Sequence, residues 1–341
     1  MRRNYPIETA AGRAGAGSPG VLALSRRGLL AGGAALSVSH PLLAAPPPAT
    51  LYDAHIHFFT NDIDRYPIDP RDAREPEEVM RARIIAAPVE PGPTFALWDR
   101  LGVTGGVGVQ YRGAYKFDNS YVLDLVEAHR PRVVSEILLS AGDPRSPDYL
   151  YEVAAAHRPA AVRLTGYEDD AGTFPWMTNA TAQRIWQAAE ELGLAVCLTC
   201  LPPRPMPRLL NTVGRLAERY PRCTIVLEHL GWTGGSQTGD GLLREHFALR
   251  NHPNLLFKWT TLNIDDLDMA GIPVQRFLRA AVDVFGPAKL MWGSDFGNSL
   301  RPYEGLVAEA RNGCGLLTSR ESAMVLGDTA REVFLSRSRP G

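Results

Sequence analysis

Two histidines stand one residue apart in the otherwise apolar run "LYDAHIHFF", Leu51 to Phe59. Side chains alternate along a strand, so Asp53, His55 and His57 are expected on one face. Two imidazoles aimed at one point make half of a divalent-metal site, or a polar clamp on a water or a substrate oxygen. Two later runs offer partners. "CTIVLEHLG" (223–231) ends in Glu228-His229, and "AKLMWGSDF" (288–296) ends in Ser294-Asp295. A carboxylate at Asp295 could ligate a metal and take a proton from an attacking water. His229 is suited to act as a second base, as an acid, or as a hydrogen bond to a developing oxyanion. The bland alternative is a pair of core histidines and an aspartate that caps a turn.

Basic residues near other run ends point to an anionic or polar substrate. Arg163, Arg112, Lys258 and Arg301 could surround a carboxylate, which guanidinium groups grip with paired hydrogen bonds. They could equally lie on solvated loops or pair with Glu168, Asp169 and Asp170. Gln110 and Tyr111 are candidates to orient a substrate carbonyl, and Trp232 and Trp259 to wall a pocket or fill core. Cys197-x-x-Cys200 lies within a strand-like run with no second CxxC, which favours packing over redox or zinc chemistry. Acidic and basic residues nearly balance (37 against 36) with no basic stripe, which argues against nucleic acid.

These residues need elements that bring distant run ends together. Eight strand-like runs (51–59, 102–111, 132–140, 160–166, 194–201, 223–231, 254–262 and 288–296) alternate with amphipathic segments such as "NSYVLDLVEAHR" and "VQRFLRAAVDVFG". No linker divides the series, and no glycine-rich phosphate fingerprint follows the first run. The pattern predicts an α/β chain, a TIM-type (β/α)8 barrel in one domain over 46–341, with its site at the C-terminal ends of the strands. Residues 61–93, rich in Pro, Asp and Arg, read as a substrate lid. Ahead of the barrel, Ser25-Arg26-Arg27-Gly28-Leu29-Leu30, a mild apolar stretch and "PLLAAPPPAT" read as a twin-arginine signal peptide over 1–45. Export by the twin-arginine machinery to the periplasm is therefore expected, with no stable membrane span.

"DAHIHFF", "IVLEHLG", "LMWGSDF" and the closing "VLGDTAREVF" together resemble the amidohydrolase superfamily, and within it the amidohydrolase-related (amidohydrolase 2) branch of lactonases and metal-dependent decarboxylases. The resemblance implies a hydrolase that opens a carboxylated lactone or similar cyclic ester, with Asp295 activating water and His55, His57 and His229 polarising the carbonyl. Two departures bear on the cofactor. Thr199 stands where many members end strand five with histidine, and Arg163 stands where binuclear members carry a bridging lysine or glutamate. The resemblance thus implies either no metal or one divalent ion, zinc or manganese, on His55, His57 and Asp295. The alternatives are a metal-dependent non-oxidative decarboxylase and a non-catalytic barrel that binds small carboxylates.

Overall fold

The apolar runs pair in the order in which they occur. In a computed structural model, which describes residues 49–71, 75–201, 206–233 and 239–336, eight parallel strands form one sheet in the order β1 to β8. They are β1 (Leu51–Ile56), β2 (Val103–Val109), β3 (Val133–Leu139), β4 (Ala161–Gly166), β5 (Ala195–Cys200), β6 (Ile225–Leu227), β7 (Leu255–Thr260) and β8 (Leu290–Gly293). The sheet closes on itself just beyond β8: the Asp295 amide donates to the His55 carbonyl (2.8 Å), and the His57 amide donates to the Phe296 carbonyl (2.9 Å). This is the expected (β/α)8 barrel. The predicted signal peptide lies outside the described residues, among which no helix is long and apolar enough to cross a membrane.

Helices follow the strands because their apolar residues recur on one side and cover the outward faces of the sheet. The first half carries α1 (Glu77–Ala86), α2 (Pro91–Leu101), α3 (Arg112–Tyr115), α4 (Ser120–His129), α5 (Ser146–His157), α6 (Pro175–Thr178) and α7 (Ala180–Glu191). The second half carries α8 (Met206–Arg219), α9 (Arg244–Leu249), α10 (Thr261–Met269), α11 (Val274–Phe285) and α12 (Tyr303–Gly313). Inside the barrel, Val107, Val134, Ala161, Cys197, Val226 and Met291 pack with Phe334 of the final helical segment. That segment reaches the start of β1, where Arg331 donates to the Thr50 hydroxyl (2.7 Å). Packed side chains thus fill that end of the barrel, and chemistry is expected at the opposite, C-terminal end of the strands.

Two local expectations need correction. Pairing of β1 with β2 shifts register between Asp53 and Ile56, and this irregularity removes Asp53 from the histidine face. Asp53 instead accepts from the Ser294 amide (2.8 Å) and the Tyr303 hydroxyl (3.0 Å), fastening β8 and α12 to β1. The sixth and eighth strands stop sooner than their apolar runs, because His229 (φ 52°) and Asp295 (φ 55°) adopt left-handed conformations. Bending the chain there takes both side chains off the strand. The CxxC pair packs as expected: Cys197 lies inside the barrel and Cys200 outside, so the two cannot meet, and both thiols are free.

Candidate active site

At the C-terminal end of the barrel the closing seam delivers three donor atoms to one point. His55 Nε2 and His57 Nε2 are 3.2 Å apart. Asp295 Oδ1 lies 3.5 Å from the first and 3.4 Å from the second. All three residues are buried. The partners on the far side of each imidazole decide what these atoms offer. His57 Nδ1 is 3.0 Å from the Val109 carbonyl, which can only accept, so Nδ1 carries the proton. His55 Nδ1 is 3.1 Å from Glu228 Oε1, an acceptor too when ionised. Both Nε2 atoms therefore present bare lone pairs to each other and to a carboxylate.

Three acceptors facing one another without a proton repel, and a cation between them removes the conflict. An ion bound tetrahedrally at about 2.1 Å separates its ligands by roughly 3.4 Å, and the observed spacings of 3.2, 3.4 and 3.5 Å match that edge. Nitrogen and carboxylate donors in this number suit zinc or a related divalent ion. The residues present fit the group.

His229 stands beside this triangle, its ring centroid 5.4 Å from that of His55 and 4.9 Å from that of Trp232, on which it stacks. Its Nδ1 is 2.7 Å from the Thr260 hydroxyl, and its carbonyl accepts from Asn263 Nδ2 (2.7 Å). Thr260 and Asn263 form the capping box that starts α10, so one helix end holds the histidine at two points. Burial lowers His229 to about 4 and His55 to about 3, keeping both neutral at ordinary pH. Burial alone would raise Asp295, but the surrounding imidazoles of His57, His55 and His229 outweigh it and hold this carboxyl below the usual range.

The expected anion clamp is mostly a set of internal ion pairs. Lys258 is fully buried, 2.6 Å from Glu136 Oε2 and 3.1 Å from Glu228 Oε1. Arg163 Nε donates to Glu228 Oε2 (2.7 Å) and its Nη2 to the Thr199 hydroxyl (3.1 Å). Arg301 ties α10 to α12 through Asp265 and Glu309. Lys258 and Arg301 are thus corrected from substrate ligands to structural pairs, since a neutralised cation attracts an anion weakly. Gln110 is corrected as well: its amide donates to the Asp118 carbonyl and braces the 112–118 turn. Tyr111 walls the site, its ring 4.9 Å from His57, but its hydroxyl accepts from Arg83 (2.6 Å). Arg112 remains: half-buried, first in α3, with no carboxylate partner among the described residues. Trp259 fills the outer core, and Trp232 lines the site through His229.

Sequence reasoning missed Glu136, Thr260, Asn263 and Arg83, and gave Glu228 no role. A glutamate within "VVSEILL" and a lysine within "LLFKWT" are each costly alone in a barrel interior, so the two implied one another. Arg83 had no such signal. It reaches from α1 to donate to the Gly297 carbonyl (2.8 Å), just past Asp295, and so pins the insert onto the mouth.

Comparison with known proteins shows what the chain as a whole resembles. The chain is 28% identical over 256 residues to an L-fucono-1,5-lactonase of Burkholderia ambifaria, covering 72% of this chain and 79% of that one. Among solved structures it is similar to a protein of Pseudomonas putida assigned as a 2-pyrone-4,6-dicarboxylic acid hydrolase (TM-score 0.66, 19% identity, 86% and 99% of the two chains). It is also similar to a zinc-bound amidohydrolase of Burkholderia multivorans (TM-score 0.62, 20% identity, 84% and 99%). The amidohydrolase family model matches residues 52–335, from the first strand to the last helical segment. This chain belongs to the amidohydrolase family.

Proposed function

We propose that the protein hydrolyses a lactone or similar cyclic ester, and that His55, His57 and Asp295 hold one divalent ion for the purpose. The observation that carries this is the triangle of bare donor atoms at 3.2–3.5 Å, at the C-terminal ends of the barrel strands. The named relatives, one an L-fucono-1,5-lactonase and another assigned as a 2-pyrone-4,6-dicarboxylic acid hydrolase, support lactone opening over other hydrolyses.

Asp295 stays ionised across the working range and accepts the proton of the attacking water. So acidic a carboxyl takes a proton only from a water that is itself acidified, and that is the chemistry a bound divalent ion supplies. The Thr260 hydroxyl accepts from the Leu262 amide (3.3 Å) and lies 2.7 Å from His229 Nδ1; with that hydroxyl as the donor, His229 carries its hydrogen on Nε2. A neutral imidazole N–H so placed stabilises the oxyanion that forms on the carbonyl oxygen. Arg112, which of the four clamp candidates meets no carboxylate among the described residues, recognises a carboxylate on the substrate, with an N–H of Arg163 beyond its bonds to Glu228 and Thr199 as a second donor.

The test is a panel of neutral and carboxylated lactones with the wild type and Asp295→Asn, alongside metal quantification of the purified protein. Loss of about 10²–10⁴ in turnover with an intact fold is expected for the variant. Full turnover by Asp295→Asn overturns the base assignment. Release of carbon dioxide from aromatic acids, with no lactone opened, replaces the reading with the decarboxylase.

We also infer export through the twin-arginine machinery to the periplasm, a reading supported by Ser25-Arg26-Arg27-Gly28-Leu29-Leu30 and the small-residue exit before Pro46. Fractionation of cells expressing the full chain tests it. Arg26→Lys with Arg27→Lys should retain the protein in the cytoplasm, and unchanged distribution rejects the route.

A further inference from the structure

Three groupings of metal-capable side chains lie within the described barrel: His55 with His57 and Asp295, His55 with Glu228 and His229, and Glu136 with Cys197 and Glu228. They are not equivalent. In the third, the ammonium of Lys258 already sits between the two carboxylates, 2.6 Å from Glu136 and 3.1 Å from Glu228. A resident cation fills that place. In the second, Glu228 is saturated. Its Oε2 accepts from Arg163 Nε (2.7 Å) and from the Thr199 hydroxyl, while its Oε1 accepts from Lys258 and faces His55 Nδ1 at 3.1 Å. A carboxylate so surrounded has little left to give an ion. Its one contact with the candidate metal triangle is through His55.

A carboxylate 3.1 Å from Nδ1 favours hydrogen on that nitrogen of His55 over Nε2. With the proton on Nδ1, Nε2 is a free lone pair. With the proton on Nε2, the short approach to His57 Nε2 (3.2 Å) becomes an N–H···N hydrogen bond. That bond would use up both ligand lone pairs and shut the site to a cation. The barrel interior thus has an open form and a closed form that differ by one proton position, and only an anion behind His55 favours the open one.

We propose that Glu228 is a positioning residue for metal capture: it holds His55 in the Nδ1–H form, and Arg163 and Lys258, with Glu136 behind them, keep Glu228 ionised and fixed. The inference rests on the single-ion reading above and goes beyond it in assigning the buried network. Glu136 and Lys258 lie 122 residues apart in the chain, and neither reaches the reacting atoms.

Two measurements test it. In metal-free wild type labelled with ¹⁵N-histidine, two-bond correlation spectra report which ring nitrogen of each imidazole is protonated, with His55 assigned by its loss in His55→Asn. The Nδ1–H form is expected at His55, and an Nε2–H form there overturns the proposal. Zinc affinity is then measured by competition against a chromophoric chelator, without reference to turnover. Glu228→Gln should bind zinc about 10–100-fold more weakly than the wild type, with His55 moved to the Nε2–H form. Unchanged affinity and tautomer in a folded variant reject the role of Glu228. If Glu228→Gln does not fold, the wild-type tautomer decides alone. If the wild type takes up no zinc or manganese, the single-ion reading fails, while the tautomer still reports on Glu228.

Discussion

Arg112 and Arg163 show how little residue type says until partners are known. Both are arginines just at or past a strand that ends at the mouth, and sequence alone gave them the same task. Arg163 is bonded to Glu228 and Thr199, whereas Arg112 meets no carboxylate among the described residues. Substituting them should therefore have different effects. Arg112→Met should raise KM for carboxylated lactones about 10–100-fold, the range for a lost charge-assisted hydrogen bond of roughly 1.5–3 kcal/mol. It should leave kcat, and all turnover of uncharged lactones, near the wild-type values. An equal loss on both substrate classes would remove Arg112 from substrate recognition. Arg163→Met instead strips Glu228 of a buried partner, and the expected outcome is loss of folded protein, read as a fall in urea midpoint.

At the scale of elements, α10 does two jobs with one pair of side chains. Thr260 caps the helix through the Leu262 amide and holds His229 Nδ1, and Asn263 closes the capping box and holds the His229 carbonyl. Thr260→Val keeps the shape and removes the hydroxyl. We expect a stability loss of about 1 kcal/mol from the missing cap. We also expect a fall in kcat with KM little changed, because the histidine loses orientation without losing contact with substrate. A stability loss with kcat intact would make Thr260 a cap only. The same region marks where the sequence stopped being legible. The eight strands and the main helices could be read because runs of Val, Ile and Leu and three- to four-residue spacing record burial directly. His55, His57 and Asp295 could be read because strand ends meet at one end of such a barrel. What could not be read are the left-handed turns at His229 and Asp295, which are not glycines, and the register shift that turns Asp53 away. Both arise from where the chain must go next, not from local preference. Glu136 and Lys258 each signalled a buried charge in need of a partner, but the further pairing with Glu228 and Arg163 is a property of closure, and no single window of sequence contains it.

The molecule as a whole carries several buried imidazoles that must remain neutral, and this sets how it responds to acid. His246 is the clearest, because it lies outside the metal triangle. Its Nδ1 accepts from the Leu243 amide (2.9 Å), so Nε2 bears the hydrogen that goes to the Leu230 carbonyl (2.8 Å). A second proton would break the first of these bonds, and burial lowers its pKa accordingly. In the unfolded chain a histidine titrates near about 6.5. As pH falls below that value the unfolded state gains a proton that the native state refuses, so stability is fully present above the unfolded pKa and is lost toward the folded one. His55 and His229 add to this slope. Asp53, raised by burial to about 6, and Glu136, raised by burial to about 7, oppose it, since each takes up its proton in the native state first. The wild-type curve alone is therefore a sum of opposed slopes, and a difference isolates one of them. His246→Gln can still accept and donate through its amide but has no titration. Urea unfolding of the metal-free wild type and this variant, compared between about pH 7.5 and 4.5, should show the variant less stable at the upper end and the gap narrowing steadily below about pH 6.5. A gap that stays constant through that window would mean that His246 takes up its proton equally in the native and unfolded states, and the neutral imidazole holding Leu230 beside the His229 turn would have to be abandoned.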